Sequence, residues 1–266
     1  MHIDLSGKTA LITASTAGIG LAIAKGLAAS GAHVIINGRN DASLRRGMQA
    51  LRDAVPEAEA DGVTADLSDA EGVEALIDGL GGRTVDILIN NAGIYNPQDF
   101  FETDDATWER YWQVNVMSGV RLSRALMPGM VQRGWGRVVF ISSESARNIP
   151  ADMIHYGVTK TAQLAVSRGL AKRVAGSGVT VNAVLPGPTL SDGFIAMLQD
   201  EITRTGKSLD EAGRDFVMSH RPSSVIQRPA TPEEVANLVV YVASPQASAT
   251  SGAALRVDGG VIDDIV

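Results

Sequence analysis

The stretch Thr9-Ala10-Leu11-Ile12-Thr13-Ala14-Ser15-Thr16-Ala17-Gly18-Ile19-Gly20 decides the fold. Its first half, TALIT, is a short aliphatic and β-branched run, which suits a strand buried on both faces. Its second half is a loop of small residues. It leads into the helical pattern Gly18–Ala29, which closes on Ser30-Gly31 as a glycine C-terminus does. Strand, tight loop and helix in this order place backbone amides at a helix N-terminus, where a pyrophosphate can be held. The usual dinucleotide fingerprint is G-x-G-x-x-G. Here Ala14 stands where a first glycine is expected; it is small enough for the turn but resists positive φ. Taken alone, such a loop serves equally well to bring a helix close to a sheet.

The same unit recurs along the chain. Val34–Asn37, Ile87–Asn90, Arg137–Ser142 and Thr180–Leu185 read as further strands, with weaker ones at Gly62–Ala65 and Ala254–Val257. Helical patterns cover Ala42–Ala54, Asp69–Leu80, Thr107–Arg133, Met153–Ala175 and Pro232–Ala243. Thr231-Pro232-Glu233-Glu234 supplies a cap, a first-turn proline and two acids at one helix start. Strands alternating with helices through short links predict an α/β fold: one doubly wound Rossmann domain over 1–266, with a seven-stranded parallel sheet covered on both faces. Ligands of such sheets bind beyond the carboxyl ends of the strands, so the residues following each strand are the ones to read.

Composition narrows the function classes. The chain has 266 residues, a net charge of −7 and no cysteine. It can build a sizeable core, but not a disulfide scaffold, a thiol nucleophile or a cysteine metal site. Its 4 histidines are scattered, so no metal site is expected. An acidic chain is a poor general nucleic-acid binder. No apolar run is long enough to span a bilayer, and the start lacks a secretory pattern, so neither a membrane nor a nucleic-acid partner is expected and the expected location is cytoplasmic.

After the second strand the chain reads Asn37-Gly38-Arg39-Asn40, with no acid before Asp41. An acid there would bind the ribose hydroxyls of NAD(H); an arginine can instead pair with a 2′-phosphate, which favours NADP(H) and leaves NAD(H) possible. A solvated surface arginine is the plain alternative. Asp66-Leu67 follows the third strand, and Asp66 either accepts from an adenine amino group or caps the next helix. Asn90-Asn91-Ala92-Gly93 follows the fourth, as a ribose contact or as a turn. Tyr156 and Lys160 are four residues apart on one helical face. An ammonium beside a phenol lowers its pKa and makes it an acid/base near neutrality. Ser143 ends the fifth strand, facing the same crevice, where its hydroxyl can polarise a carbonyl; Asn115 lies in the long helical region before it.

Together these motifs resemble the short-chain dehydrogenase/reductase family. The matching residues are the T-A-S-T-A-G-I-G loop, Asp66, N-N-A-G at Asn90 to Gly93, Asn115, Ser143, Y-G-V-T-K from Tyr156, Asn182, Pro186-Gly187 and V-D-G-G at Val257 to Gly260. They span Leu5 to Gly260, and Ala14 is the departure. The resemblance implies catalysis by Asn115, Ser143, Tyr156 and Lys160. Tyr156 is the acid/base, Lys160 lowers its pKa and holds the nicotinamide ribose, Ser143 orients the carbonyl, and Asn115 holds a relay water. It implies cofactor contacts at Ser15, Thr16, Gly18, Ile19, Gly20, Arg39, Asp66, Leu67, Asn91, Ala92, Gly93, Tyr156, Lys160, Pro186, Gly187, Thr189 and Ser191. It also implies a homotetramer.

The connection over 188–228, with helical patches at Asp192–Ile202 and Leu209–Ser219, reads as a substrate lid. The leading functional expectation is an NADP(H)-dependent oxidoreductase interconverting a small-molecule carbonyl and an alcohol. The alternatives are an NAD(H)-preferring enzyme of the same family, a dinucleotide-binding sensor without chemistry, and a reductase of activated C=C bonds. The intact Ser143, Tyr156 and Lys160 argue against the last two.

Overall fold

The computed structural model describes residues 2–265. Seven parallel strands form one sheet: β1 (Thr9–Ile12), β2 (His33–Gly38), β3 (Ala60–Thr64), β4 (Ile87–Asn90), β5 (Gly136–Ile141), β6 (Val179–Pro186) and β7 (Ala254–Val257), in the order β3-β2-β1-β4-β5-β6-β7. Strand order therefore reverses between β1 and β4, and a crevice opens beyond their carboxyl ends.

Side chains alternate across the strands. Ala10 and Ile12 of β1 and Ile36 of β2 join the core beneath α1 (Gly18–Ala29) and α9 (Pro232–Val242). Leu11 and Ile35 join the opposite core, beneath α3 (Ala70–Gly79), α5 (Ser118–Arg133) and α6 (Ile154–Arg173). Glycines set how closely helices approach. A Cβ on Gly26 of α1 would meet Val240 of α9 at 2.9 Å, and one on Gly119 of α5 would meet Phe140 of β5 at 2.8 Å.

The helix expected over Thr107–Arg133 is in fact three pieces. They are α4 (Asp105–Trp112), a π turn over Gln113–Met117, and α5. A π turn inserts one residue into the helical register, and such turns recur at functional sites; this one holds Asn115. The 188–228 segment contains α7 (Asp192–Thr205) and α8 (Leu209–His220), capped by Ser191 and Ser208. Phe194, Leu198, Ala212 and Phe216 give the pair its own small apolar cluster. No described helix is long and apolar enough to cross a membrane.

Candidate active site

The β1–α1 loop is built on a strained residue and two amides. Ala14 adopts φ +48°, the left-handed conformation that its side chain resists. Asn37 Oδ1 accepts from Ala14 N at 3.1 Å, while Asn37 Nδ2 donates to the carbonyls of Val63 and Ala65. Asn91 Nδ2 donates to the carbonyls of Thr13 and Ala14, both at 3.0 Å. Two asparagines from neighbouring strand ends thus hold Ala14 where a glycine would sit without strain. Gly20 permits this packing, because a Cβ there would meet Asn91 Nδ2 at 2.5 Å and the Ala14 carbonyl at 2.6 Å.

A cavity of about 530 Å³ runs from this loop to the ends of β5 and β6. Gly18, Ile19, Gly20, Asn91, Gly93, Ser143, Tyr156, Lys160, Pro186, Gly187, Thr189 and Ser191 line it, so most of the sequence-derived site residues share one space. Other expected residues stand differently. Ser15 is wholly buried; its hydroxyl donates to the Ile12 carbonyl and accepts from Asn37 N, which makes it a brace beneath the loop. The Leu67 side chain lies in the core, and Ala92 is buried with its N–H on Thr13 Oγ1. Thr16 packs against Gly47 of α2 (Asp41–Ala54). Arg39 and Asp66 are exposed beyond β2 and β3, and no ion pair among the described residues involves Arg39. The cap of α3 is Asp69, which accepts from Gly72 N at 2.8 Å; Asp66 accepts from Ser68 N instead. Asp66 therefore does not cap α3.

Ser143 stands beside Tyr156 in the cavity, and its hydroxyl favours the phenolate. Tyr156 lies half-buried in the cavity wall, and Lys160 Nζ sits 5.6 Å from the centroid of its ring. Lys160 is buried and donates to the Ile141 carbonyl at 3.0 Å and to Gln163 Oε1 at 3.4 Å. Gly93 allows that approach: a Cβ there would lie 3.3 Å from Lys160 Nζ. The electrostatics differ from the expectation that Lys160 lowers the tyrosine pKa. Burial raises Tyr156 well above its ordinary 10.0, and the charge of Glu144 adds to the rise against the Ser143 hydroxyl. Burial also brings Lys160 down to about 7. With its ammonium on a carbonyl and an amide rather than on the phenol, Lys160 cannot outweigh desolvation.

Asn115 is buried within the π turn, with its side-chain amide and its carbonyl both engaged. Its Oδ1 accepts from Ile94 N at 2.8 Å, and its Nδ2 donates to the Ile94 carbonyl and to Thr159 Oγ1. Its own carbonyl accepts from Gln163 Nε2 at 2.5 Å. It positions the β4–α4 loop against α6. Gln163, missed in the sequence, ties Asn115 to Lys160; its spacing of three from Lys160 was the available signal. His155 turns away from the cavity and is buried against Tyr111 at 4.4 Å between centroids. Burial lowers its pKa and keeps it neutral.

Two further residues were not anticipated. Glu144, beside Ser143, is 3% exposed and receives Arg221 Nε from the end of α8 at 2.7 Å. Burial raises its pKa, with Arg221 opposing. Asp192, at the start of α7, accepts the Gly18 N–H at 2.8 Å. A carboxylate on that N–H shows that the start of α1 receives an anion, so the glycine loop fits a dinucleotide pyrophosphate. Among the described residues no cluster of His, Cys, Asp or Glu could hold a metal.

Comparison with known proteins agrees with this geometry. A family model described as enoyl-(acyl carrier protein) reductase matches residues 13–262. An uncharacterized oxidoreductase, YvaG of Bacillus subtilis (strain 168), is 44% identical over 265 residues, covering 100% of both chains. Galactitol 2-dehydrogenase (L-tagatose-forming) of Cereibacter sphaeroides is 37% identical, over 96% of this chain and 95% of that one. The crystal structure of L-sorbose reductase from Gluconobacter frateurii, complexed with NADPH and L-sorbose, superposes with a TM-score of 0.91 at 34% identity, with full coverage of both chains.

Proposed function

The chain belongs to the short-chain dehydrogenase/reductase family, an NAD(P)-dependent oxidoreductase acting on CH–OH or carbonyl groups, and from that premise we propose that it is an NADP(H)-dependent enzyme whose Tyr156 moves the proton. The observation that carries the proposal is the single cavity lined by Gly18 and Gly20 at one end and by Ser143, Tyr156 and Lys160 at the other. The cofactor, when bound, supplies or accepts the hydride. Gly18, Ile19 and Gly20 would hold its pyrophosphate, Asn91 and Gly93 its nicotinamide ribose together with Lys160, and Pro186, Gly187, Thr189 and Ser191 its nicotinamide end. Arg39, exposed and outside every described ion pair, would pair with a 2′-phosphate.

The protein's own residues handle the substrate. The Ser143 hydroxyl donates to the substrate oxygen and stabilises charge developing there. Tyr156 Oη gives its proton to that oxygen in reduction and takes it back in oxidation. A buried phenol with a raised pKa is a reluctant anion, so oxidation depends on positive charge close by. Lys160, with Nζ 5.6 Å from the centroid of the phenol ring, would supply it. Gln163, itself held by the Asn115 carbonyl, positions Lys160 there. Closure of the 188–228 segment over the cavity, as a substrate lid on a single domain, excludes water.

For substrate we propose a secondary alcohol or ketone bearing further hydroxyls. The lining near Ser143 mixes apolar Met153, Met197 and Phe216 with polar Asp152 and His220 and with the Glu144–Arg221 pair. Galactitol 2-dehydrogenase and L-sorbose reductase, two relatives, act on such molecules. The C=C reduction suggested by the matching family model's description gives no role to a serine hydroxyl set beside the tyrosine to polarise a carbonyl. A homotetramer built on the faces of α5 and α6 is the proposed assembly. The test is a panel of ketoses, alditols, aliphatic ketones, acyl thioesters and enoyl thioesters followed by nicotinamide absorbance with both cofactors. Turnover of polyhydroxylated members with NADPH or NADP+ is expected; activity confined to acyl thioesters or to enoyl substrates would overturn the substrate assignment.

A further inference from the structure

Helix α1 begins on Ala17, which offers no side-chain cap, and its first turn carries no acid. The N–H of Gly18 nevertheless has a partner. It donates to Asp192 Oδ2 at 2.8 Å, from a residue 174 positions along the chain. Asp192 is the first residue of α7, and its neighbour Ser191 sits on the same spot: a Cβ added to Gly18 would come within 3.2 Å of the Ser191 Cβ. Both Gly18 and Asp192 line the cavity. Two side chains of the 188–228 segment thus reach the walls of the cavity, Asp192 at the loop that receives the dinucleotide and Arg221 on Glu144 beside Ser143.

One N–H does not serve two anions. The carboxylate on Gly18 and a pyrophosphate oxygen compete for the positive end of the same helix. We propose that Asp192 is an internal stand-in for the cofactor's pyrophosphate: it caps α1 while the loop is free, and the dinucleotide must displace it to bind. Cofactor entry and release of the start of α7 are then one event. The segment over the substrate end is loosened or reseated only when the nucleotide end is filled. This rests on the dinucleotide reading given above and adds a control of that site by the chain's own residue.

The contact is a single charge-assisted hydrogen bond at an exposed position, so it restrains the segment without locking it. Removing the charge frees the binding-competent state, and the apparent Kd falls by the fraction that had been blocked. Asp192→Asn keeps the side chain's shape. It should tighten NADPH roughly three- to tenfold by nicotinamide fluorescence titration. A second readout needs no nucleotide and no activity. Trypsin cleavage after Arg204 and Lys207, at the end of α7 and just beyond it, should be faster in nucleotide-free Asp192→Asn than in the native chain, and NADPH should speed it in the native chain. Unchanged or weaker NADPH binding by Asp192→Asn sinks the competition, and so do equal cleavage rates without nucleotide. If the native chain and the variant both fail to bind NADPH and NADH, the dinucleotide reading itself falls, and this proposal with it. Tight binding by both with the same Kd overturns only the role of Asp192.

Discussion

Replacing Arg221 with methionine isolates the charge buried beside Ser143. Glu144 is 4% exposed at its side chain, and Arg221 Nε at 2.7 Å is its one cationic partner among the described ion pairs. Its Oε2 has no hydrogen-bond partner, and the Ser145 hydroxyl at 3.2 Å is the other contact on Oε1. Asp258 adds like charge nearby. Without the guanidinium the carboxylate is stranded, and a stranded buried charge costs about 3–5 kcal/mol. It can escape by taking a proton. From the ordinary glutamate value of 4.5, protonation at pH 7 costs about 3 kcal/mol, and at pH 5 under about 1 kcal/mol. Arg221→Met should therefore lose up to about 3 kcal/mol at pH 7, the raised native value of Glu144 already taking part of that cost, and under about 1 kcal/mol at pH 5. The sign follows from a raised folded pKa: the folded state holds the proton better, so stability falls as pH climbs above the unfolded value. Urea unfolding of both proteins at the two pH values gives the difference, in which groups common to both cancel. Adding Glu144→Gln should abolish the pH dependence. A loss equal at both pH values would refute the reasoning, since it would mean that Glu144 is hydrated once Arg221 is gone.

Three further outcomes follow from the same contacts. Arg39→Ala should weaken NADPH by about 1.5–3 kcal/mol, roughly ten- to a hundredfold, and leave NADH unchanged in parallel titrations; equal loss with both removes Arg39 as the discriminator. Gly20→Ala places a Cβ 2.6 Å from the Ala14 carbonyl, a backbone atom that cannot step aside, so dinucleotide binding should be lost in calorimetry. Lys160, with an ordinary value of 10.5 and a folded value of about 7, costs the fold stability by an amount that grows as pH falls through that window and stays at its full size below it. In thermal melts without cofactor, the stability of Lys160→Met relative to the native chain should rise as pH falls from about 10 to 7 and level off below; a gap that does not vary with pH would contradict the burial of Lys160.

Much of the fold could be read from the chain because its signals were local. Helix α1 and strand β4 fall on the residues expected, since a glycine-flanked helix and a short aliphatic run depend on near neighbours. The weak strands near Gly62 and Ala254 are the two edges of the sheet, β3 and β7, where a single neighbouring strand leaves the apolar pattern faint. The π turn at Gln113–Met117 was hidden, because the sequence stays helical through it. The site divides in the same way. Residues of fixed spacing, Tyr156 with Lys160 and Gly18 with Gly20, come together on one cavity. What the sequence could not show depends on contacts across the fold: Asn37 holding Ala14 in a left-handed turn, Gln163 bridging Asn115 and Lys160, Arg221 reaching Glu144, and Asp192 capping α1. The low pKa of Lys160 belongs with these, since the depth of its burial emerges only when β5 and α6 pack.

Removal of one oxygen atom tests the proton-transfer assignment most directly. Tyr156→Phe should bind NADPH with the affinity of the native chain in a fluorescence titration while losing turnover of every carbonyl substrate that the native chain reduces. A variant that still turns over at the native rate, with cofactor binding intact, would contradict the account.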